Sequence, residues 1–187
     1  MYPLQFLETW NIVMFQLLRG TPGSPAAAIL AATWLAELPV YVACAILLWA
    51  MARRKDWMML LPLSVACLAA RLLEILAAAY AYHARPFAAG FGPPLTAHAA
   101  NNSLPSSHVA FVWLLAVVST RWNNRRLTAV LAVLGGAVAW ARVFVGVHWP
   151  LDVVASAVTA AVCGAAGLAL QRLAAVRFPA SSSSDAQ

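Results

Sequence analysis

"RLTAVLAVLGGAVAWARVFVGVHWPLDVVASAVTAAVCGAAGLAL" occupies residues 126–170 and reads as two apolar runs folded about a short turn. The runs cover roughly 126–146 and 150–173. Each reaches the about 20 residues that carry an α-helix across a bilayer. Comparable runs lie at 26–51 and 57–82, and a shorter, strongly apolar one at 107–121. The first twenty residues differ, because Leu4, Phe6, Leu7, Ile12 and Phe15 alternate with Glu8, Asn11, Gln16 and Arg19. This is the pattern of an amphipathic helix at a membrane interface, closed by the breaker "GTPGSP" at 20–25. The expected architecture is therefore all-α, a polytopic membrane helix bundle. It has five clear transmembrane helices and an N-terminal amphipathic or short first helix. Residues 1–20 form that helix, 21–178 one membrane domain, and 179–187 ("ASSSSDAQ" follows Pro179) a disordered tail.

Composition supports lipid as the solvent. Of 187 residues, 63% are hydrophobic and 10% charged, and the mean hydropathy is +0.77. Soluble domains carry about 25% charged residues. The net charge of +6 does not signal nucleic acid, because the basic residues sit in short clusters between apolar runs. Cys44, Cys67 and Cys163 all lie within apolar runs and show no metal or redox spacing.

The clusters set the topology. Arg53, Arg54 and Lys55 fill one loop, Arg121, Arg125 and Arg126 another, and Arg172 and Arg177 close the last span. Five alternating helices bring all three to one side, which the positive-inside rule assigns to the cytoplasm. The opposite face receives the 83–106 loop and the 143–149 turn. Glu37, Arg71 and Glu74 interrupt spans, where each charge costs at least about 2.5–3.5 kcal/mol unless paired. Glu37 and Arg71 stand at similar depth, so an ion pair between their helices is expected.

The non-cytoplasmic loops hold the chemistry. His148 and Asp152 are four apart and share a face of the last helix, so the carboxylate can fix the imidazole tautomer and free the other nitrogen as a nucleophile. Arg142 returns across the short turn, and Arg85 precedes Pro86 in the other loop; guanidinium forks suit phosphate oxygens. In "PSSH" (105–108), Ser106, Ser107 and His108 begin a helix, where free N–H groups and hydroxyls make an anion cradle with an acid at its edge.

Three segments, "AAYAYHARP" (78–86), "PSSH" (105–108) and "ARVFVGVHWPLD" (141–152), resemble the three signatures of the type-2 phosphatidic acid phosphatase superfamily, membrane branch. Those signatures are Lys-x6-Arg-Pro, Pro-Ser-Gly-His and Ser-Arg-x5-His-x3-Asp. The resemblance implies that His148 attacks phosphorus to form a phosphohistidine, with Asp152 orienting it. It also implies that His108 protonates the leaving group and then activates water, while Arg85, Arg142, Ser106 and Ser107 hold the phosphoryl oxygens. It implies no metal and no cofactor. Three positions depart from the pattern: Ala78 for its lysine, Ala141 for its serine and Ser107 for its glycine. Arg71 lies about 20 Å along the chain from Arg85, too deep to replace that lysine.

Within the superfamily, "HARPF" and "HAANNSLPSSH" (98–108) are most similar to the bacitracin-resistance type of undecaprenyl diphosphate phosphatase. That likeness implies an isoprenyl diphosphate lipid as substrate and the lipid bilayer as a partner, with no nucleic acid and the oligomeric state left open. The location implied is the bacterial cytoplasmic (inner) membrane, with the site facing the periplasm or exterior. Phosphatidylglycerophosphate and lipid A phosphatases share the constellation. A catalytically silent lipid-diphosphate-binding relative and a transporter are the alternatives of other classes.

Overall fold

A computed structural model describes residues 3–177; the expected tail at 179–187 lies outside the described residues. Seven helices follow in order: α1 (Pro3–Leu18), α2 (Ala26–Leu35), α3 (Leu38–Arg54), α4 (Leu60–Tyr80), α5 (Ser107–Ser119), α6 (Arg125–Phe144) and α7 (Pro150–Arg177). Four helical units are long and apolar enough to cross a membrane: 26–54, 57–80, 125–144 and 150–177. The all-α membrane bundle is the architecture expected from the hydropathy pattern.

Two details differ from that reading. The first span is not one straight helix, for it breaks at Glu37, whose φ of −131° leaves the helical range. Pro39 follows as an early residue of α3; it has no N–H to offer the preceding turn, and α3 starts anew around it. The fifth span, α5, has only 13 residues and rises about 20 Å, short of a bilayer's hydrocarbon core. It need not cover that distance, because it sits in the centre of the bundle against α3, α4, α6 and α7. Val109, Val112, Leu114, Leu115 and Val118 are all buried along it.

The long helices alternate, so the basic loops converge at one end. Arg121 Nε and Trp122 Nε1 both donate to Asp56, at 3.2 and 2.9 Å, and Arg54 lies over the Trp122 ring at 5.1 Å. These contacts tie the α3–α4 and α5–α6 connections together. At the other end α1 lies against the start of α7, where Asn11 Oδ1 accepts from Leu151 N at 3.0 Å. Phe15, fully buried, meets the Trp149 ring at 4.9 Å.

Lipid tails are as apolar as leucine, so close backbone approach replaces hydrophobic burial as the force between such helices. Gly167 lets α7 touch α4: a methyl there would stand 2.3 Å from the Pro62 carbonyl oxygen. Gly136 of α6, by contrast, has open space. Gly167→Ala is expected to lower stability in detergent by about 1–3 kcal/mol, the usual cost of overpacking. Gly136→Ala should leave it unchanged or raise it. Thermal unfolding of the two purified variants checks the contrast.

Candidate active site

The site is built around the turn that joins α6 to α7. Gly146, at φ +80°, makes the reversal possible, and Pro150 opens α7 with its ring preset for a helix. Asp152 then folds back, accepting from Trp149 N at 2.8 Å, which satisfies a free donor at the helix start. The same carboxylate oxygen meets His148 Nδ1 at 3.3 Å and the Ser103 hydroxyl. Its second oxygen meets His83 Nδ1 at 3.2 Å. Asp152 is fully buried and His148 is 1% exposed.

His148 Nε2 faces the other way, 3.1 Å from Arg85 Nη1. A guanidinium has only donors, so Nε2 is the bare nitrogen and Nδ1 carries the proton toward Asp152. Burial pushes the His148 pKa down to about 4 although the Asp152 hydrogen bond opposes this. The imidazole is therefore neutral at pH 7, with its lone pair directed at Arg85. His83 shifts the opposite way, upward, chiefly through its bond to Asp152.

Arg85 is held rigidly. It donates from Nε to Asn101 Oδ1 at 2.9 Å, from Nη1 to the Val147 carbonyl at 2.8 Å, and from Nη2 to the Asn102 carbonyl at 3.2 Å. Arg142 donates from Nη2 to His98 Nε2 at 3.0 Å; the His98 and His148 rings are 6.3 Å apart, edge to face. Ser106 precedes α5 without capping it through its side chain. Its backbone N–H instead donates to Ser156 Oγ at 2.9 Å, which anchors this turn to α7. Among the described residues, Ser106 Oγ, His108 Nδ1 and Arg142 Nε are buried and have no hydrogen-bond partner. Buried polar atoms are rarely left so; Asn11 Nδ2 is a fourth, and the other three belong to residues singled out from the sequence, Ser106 and Arg142 as ligands of an anion and His108 as the acid beside it.

His148, Asp152 and Arg85 are thus in direct contact, with Arg142 joined to them through His98. Ser106 is buried beside α7, whereas Ser107 is exposed and lines two clefts together with Arg71 and Glu74. His83, Ser103, Asn101, Asn102, His98 and Ser156 were given no role by the sequence reading. The polar run 98–108 was the available signal for four of them, but nothing in the sequence marks Ser156 or joins His83 to Asp152. The expected Glu37–Arg71 pair does not form, because Arg71 is taken by Glu74 one turn on, at 2.8 Å. Nor is Arg71 isolated from Arg85: both line one cleft.

A helical membrane bundle with a buried His–Asp pair facing two arginines at one end defines a class of phosphoryl-handling membrane proteins. Residues 59–174 match the PAP2 superfamily, and the chain belongs to that superfamily, as a membrane phosphatase. It is 28% identical over 155 residues to YbjG of Escherichia coli (strain K12), provisionally named an undecaprenyl-diphosphatase. That alignment covers 78% of this chain and 75% of the relative. It is 32% identical over 83 residues to "Undecaprenyl-diphosphatase BcrC" of Bacillus subtilis (strain 168), across 44% and 42% of the two chains. In fold it is similar to Aquifex aeolicus LpxE, with a TM-score of 0.73, 24% identity and coverage of 86% and 95% of the two chains. A PAP2-type phosphatidylglycerolphosphate phosphatase from Bacillus subtilis gives a TM-score of 0.66 at 16% identity, over 89% and 87%. The resemblance read from the three sequence segments is met.

The low pKa of His148 has a stability consequence. The folded value, about 4, lies below the 6.5 of an unperturbed imidazole. Between those values the unfolded chain binds the proton more readily, so stability is full above pH 6.5 and declines as pH falls toward 4. His148→Asn should flatten that decline by up to about 1.4 kcal/mol per pH unit, one proton's worth. Chemical denaturation of both proteins between pH 4 and 7 measures it.

Proposed function

We propose that this protein hydrolyses undecaprenyl diphosphate to undecaprenyl phosphate and phosphate, on the outer face of a bacterial cytoplasmic membrane. The observation that carries the reading is the orientation of His148: Nδ1 on a buried carboxylate, and a bare Nε2 facing a guanidinium. A phosphoryl group suits the place, being drawn to a guanidinium and open to attack by a nitrogen lone pair.

The steps follow. The terminal phosphoryl group displaces the Arg85 Nη1 contact from His148 Nε2, its oxygens taking donors from Arg85, Arg142 and Ser106. These neutralise the charge on the transferring group, the main device of phosphoryl transfer. His148 Nε2 attacks phosphorus, the bond to the bridging oxygen breaks, and the lipid phosphate leaves with a proton from His108. Asp152 holds the imidazolium that results. His108, now neutral, takes a proton from water, which attacks the phosphohistidine; the P–N bond breaks and phosphate departs. Both histidines return to their starting states.

Two relatives with undecaprenyl diphosphate in their names support the substrate. The clustering of basic residues at the opposite end of the bundle supports an outward-facing site. The absent lysine and serine of the family pattern, at Ala78 and Ala141, remove two donors but none of the groups that move a proton or form a bond.

Purified protein in detergent with EDTA is expected to release phosphate from farnesyl or undecaprenyl diphosphate. His148→Ala should abolish release, and His108→Asn should slow it by about 10²–10⁴, the range for general acid–base catalysis. His108→Asn denatured in alkaline detergent, where a P–N bond survives, should retain label from a terminally ³²P-labelled substrate and lose it on brief acid treatment, and His148→Ala should retain none. Faster release from phosphatidylglycerophosphate or a lipid A precursor would move the assignment to those lipids. No release from any of them would make the protein a binding relative.

A further inference from the structure

Arg71 and Glu74 are the only charged residues of α4, and the proposed mechanism does not use them. They bond each other at 2.8 Å, yet 70% of the Arg71 side chain stays exposed, against 16% for Glu74. An ion pair in a spanning helix is costly if it faces lipid and is retained where it faces a polar cavity or a ligand. Arg71 faces two clefts, and that is the informative feature.

One cleft, of about 320 Å³, runs between α4 and α5. Its walls are apolar, with Val40, Cys67, Ala70, Phe111 and Leu114, and His108 and Ser107 stand at its polar end. The other, of about 250 Å³, is polar and contains Arg85, Asn101 and Asn102. Arg71, Glu74 and Ser107 line both, so the two clefts meet at this pair. Ala78 also lines the polar cleft, between Arg71 and Arg85 in sequence. An apolar chain lying in the first cleft, with its phosphate end at Arg85 and His148, passes Arg71 between the two.

We propose that Arg71, held by Glu74, forms a second phosphate subsite that binds the phosphoryl group remaining on the lipid. The inference rests on the diphosphate reading given above. Glu74 occupies part of the guanidinium and fixes its plane, leaving the remaining N–H donors for phosphate oxygens, a geometry that guanidinium serves better than ammonium. A lipid bearing a single phosphate, once that group is at His148, places nothing here. The subsite therefore discriminates lipid diphosphates from lipid monophosphates, and it also holds the monophosphate product before release.

The test compares farnesyl diphosphate with a monophosphate lipid, phosphatidic acid, on wild-type protein and on Arg71→Gln. The readout is kcat/KM for each lipid. Arg71→Gln should lower the ratio of diphosphate to monophosphate turnover by about tenfold to a hundredfold, the range for losing a hydrogen bond to a charged group. An equal fall on both lipids, or no fall, overturns the subsite. Wild-type protein that cleaves only the monophosphate lipid would instead defeat the diphosphate reading, a distinct result. Should Arg71→Gln not yield a monodisperse protein, Arg71→Lys is read by the same ratio: a selective fall of at least threefold supports the subsite, and none overturns it.

Discussion

The bond network of one carboxylate organises the active end of this molecule. Asp152 is fully buried, a position in which an unpaired carboxylate would be prohibitive. It is tolerated because the Trp149 N–H, the Ser103 hydroxyl and two imidazole nitrogens surround it. Those groups come from three parts of the chain: the α6–α7 turn, the 98–108 segment and the stretch before Arg85. Satisfying the carboxylate therefore assembles the loops. The same act sets the His148 tautomer, since the proton must lie on the nitrogen that faces Asp152. Stability and reactivity are consequences of one set of hydrogen bonds.

The bundle supplies a rigid floor for that network. Its central helix, α5, is too short to span and too buried to need to. It carries Ser107 and His108 in its first turn, so the turn's height in the bundle is fixed by the packing of Val112, Leu115 and Val118 below it. Ser156 then ties Ser106 to α7, touching both its N–H and its carbonyl. The Ser106 turn and the His–Asp pair are thus registered to each other through α7, in addition to the direct Ser103–Asp152 bond. Loops positioned by packed helices are the usual carriers of chemistry, and here the packing is made by small residues such as Gly167 rather than by a hydrophobic force.

Much of this was legible in the sequence, for reasons that differ by element. The spans are long uniform signals, and the His148–Asp152 spacing is a local rule of helix geometry. Arg85, Arg142, Ser106 and His108 stood out by residue type beside an apolar run. What escaped the sequence was long-range pairing. His83 meets a carboxylate 69 residues away, and Ser156 meets a turn 50 residues away; neither has a local periodicity that would reveal it. The break at Glu37 was signalled by Pro39, but a proline in an otherwise continuous apolar run is also compatible with a kinked helix. The Glu37–Arg71 pairing failed because depth along two helices says nothing about which faces meet, while Glu74 was already at hand one turn away.

Arg71 shows how the same geometry bears on specificity. In linear sequence it is far from every motif residue, and counting along α4 places it remote from Arg85. In the fold α4 ends at Tyr80, and Arg71, Ala78 and Arg85 all line one polar cleft. A long side chain on a helix can then serve a site well above its own Cα. The charge that appears misplaced within a span is, in three dimensions, at the boundary between an apolar cleft and a polar one. For an amphiphile with an apolar tail and a charged head, that boundary is where the two halves of the molecule join, and it is the one place at which a cation inside the bilayer gains a partner from the ligand and not only from the protein.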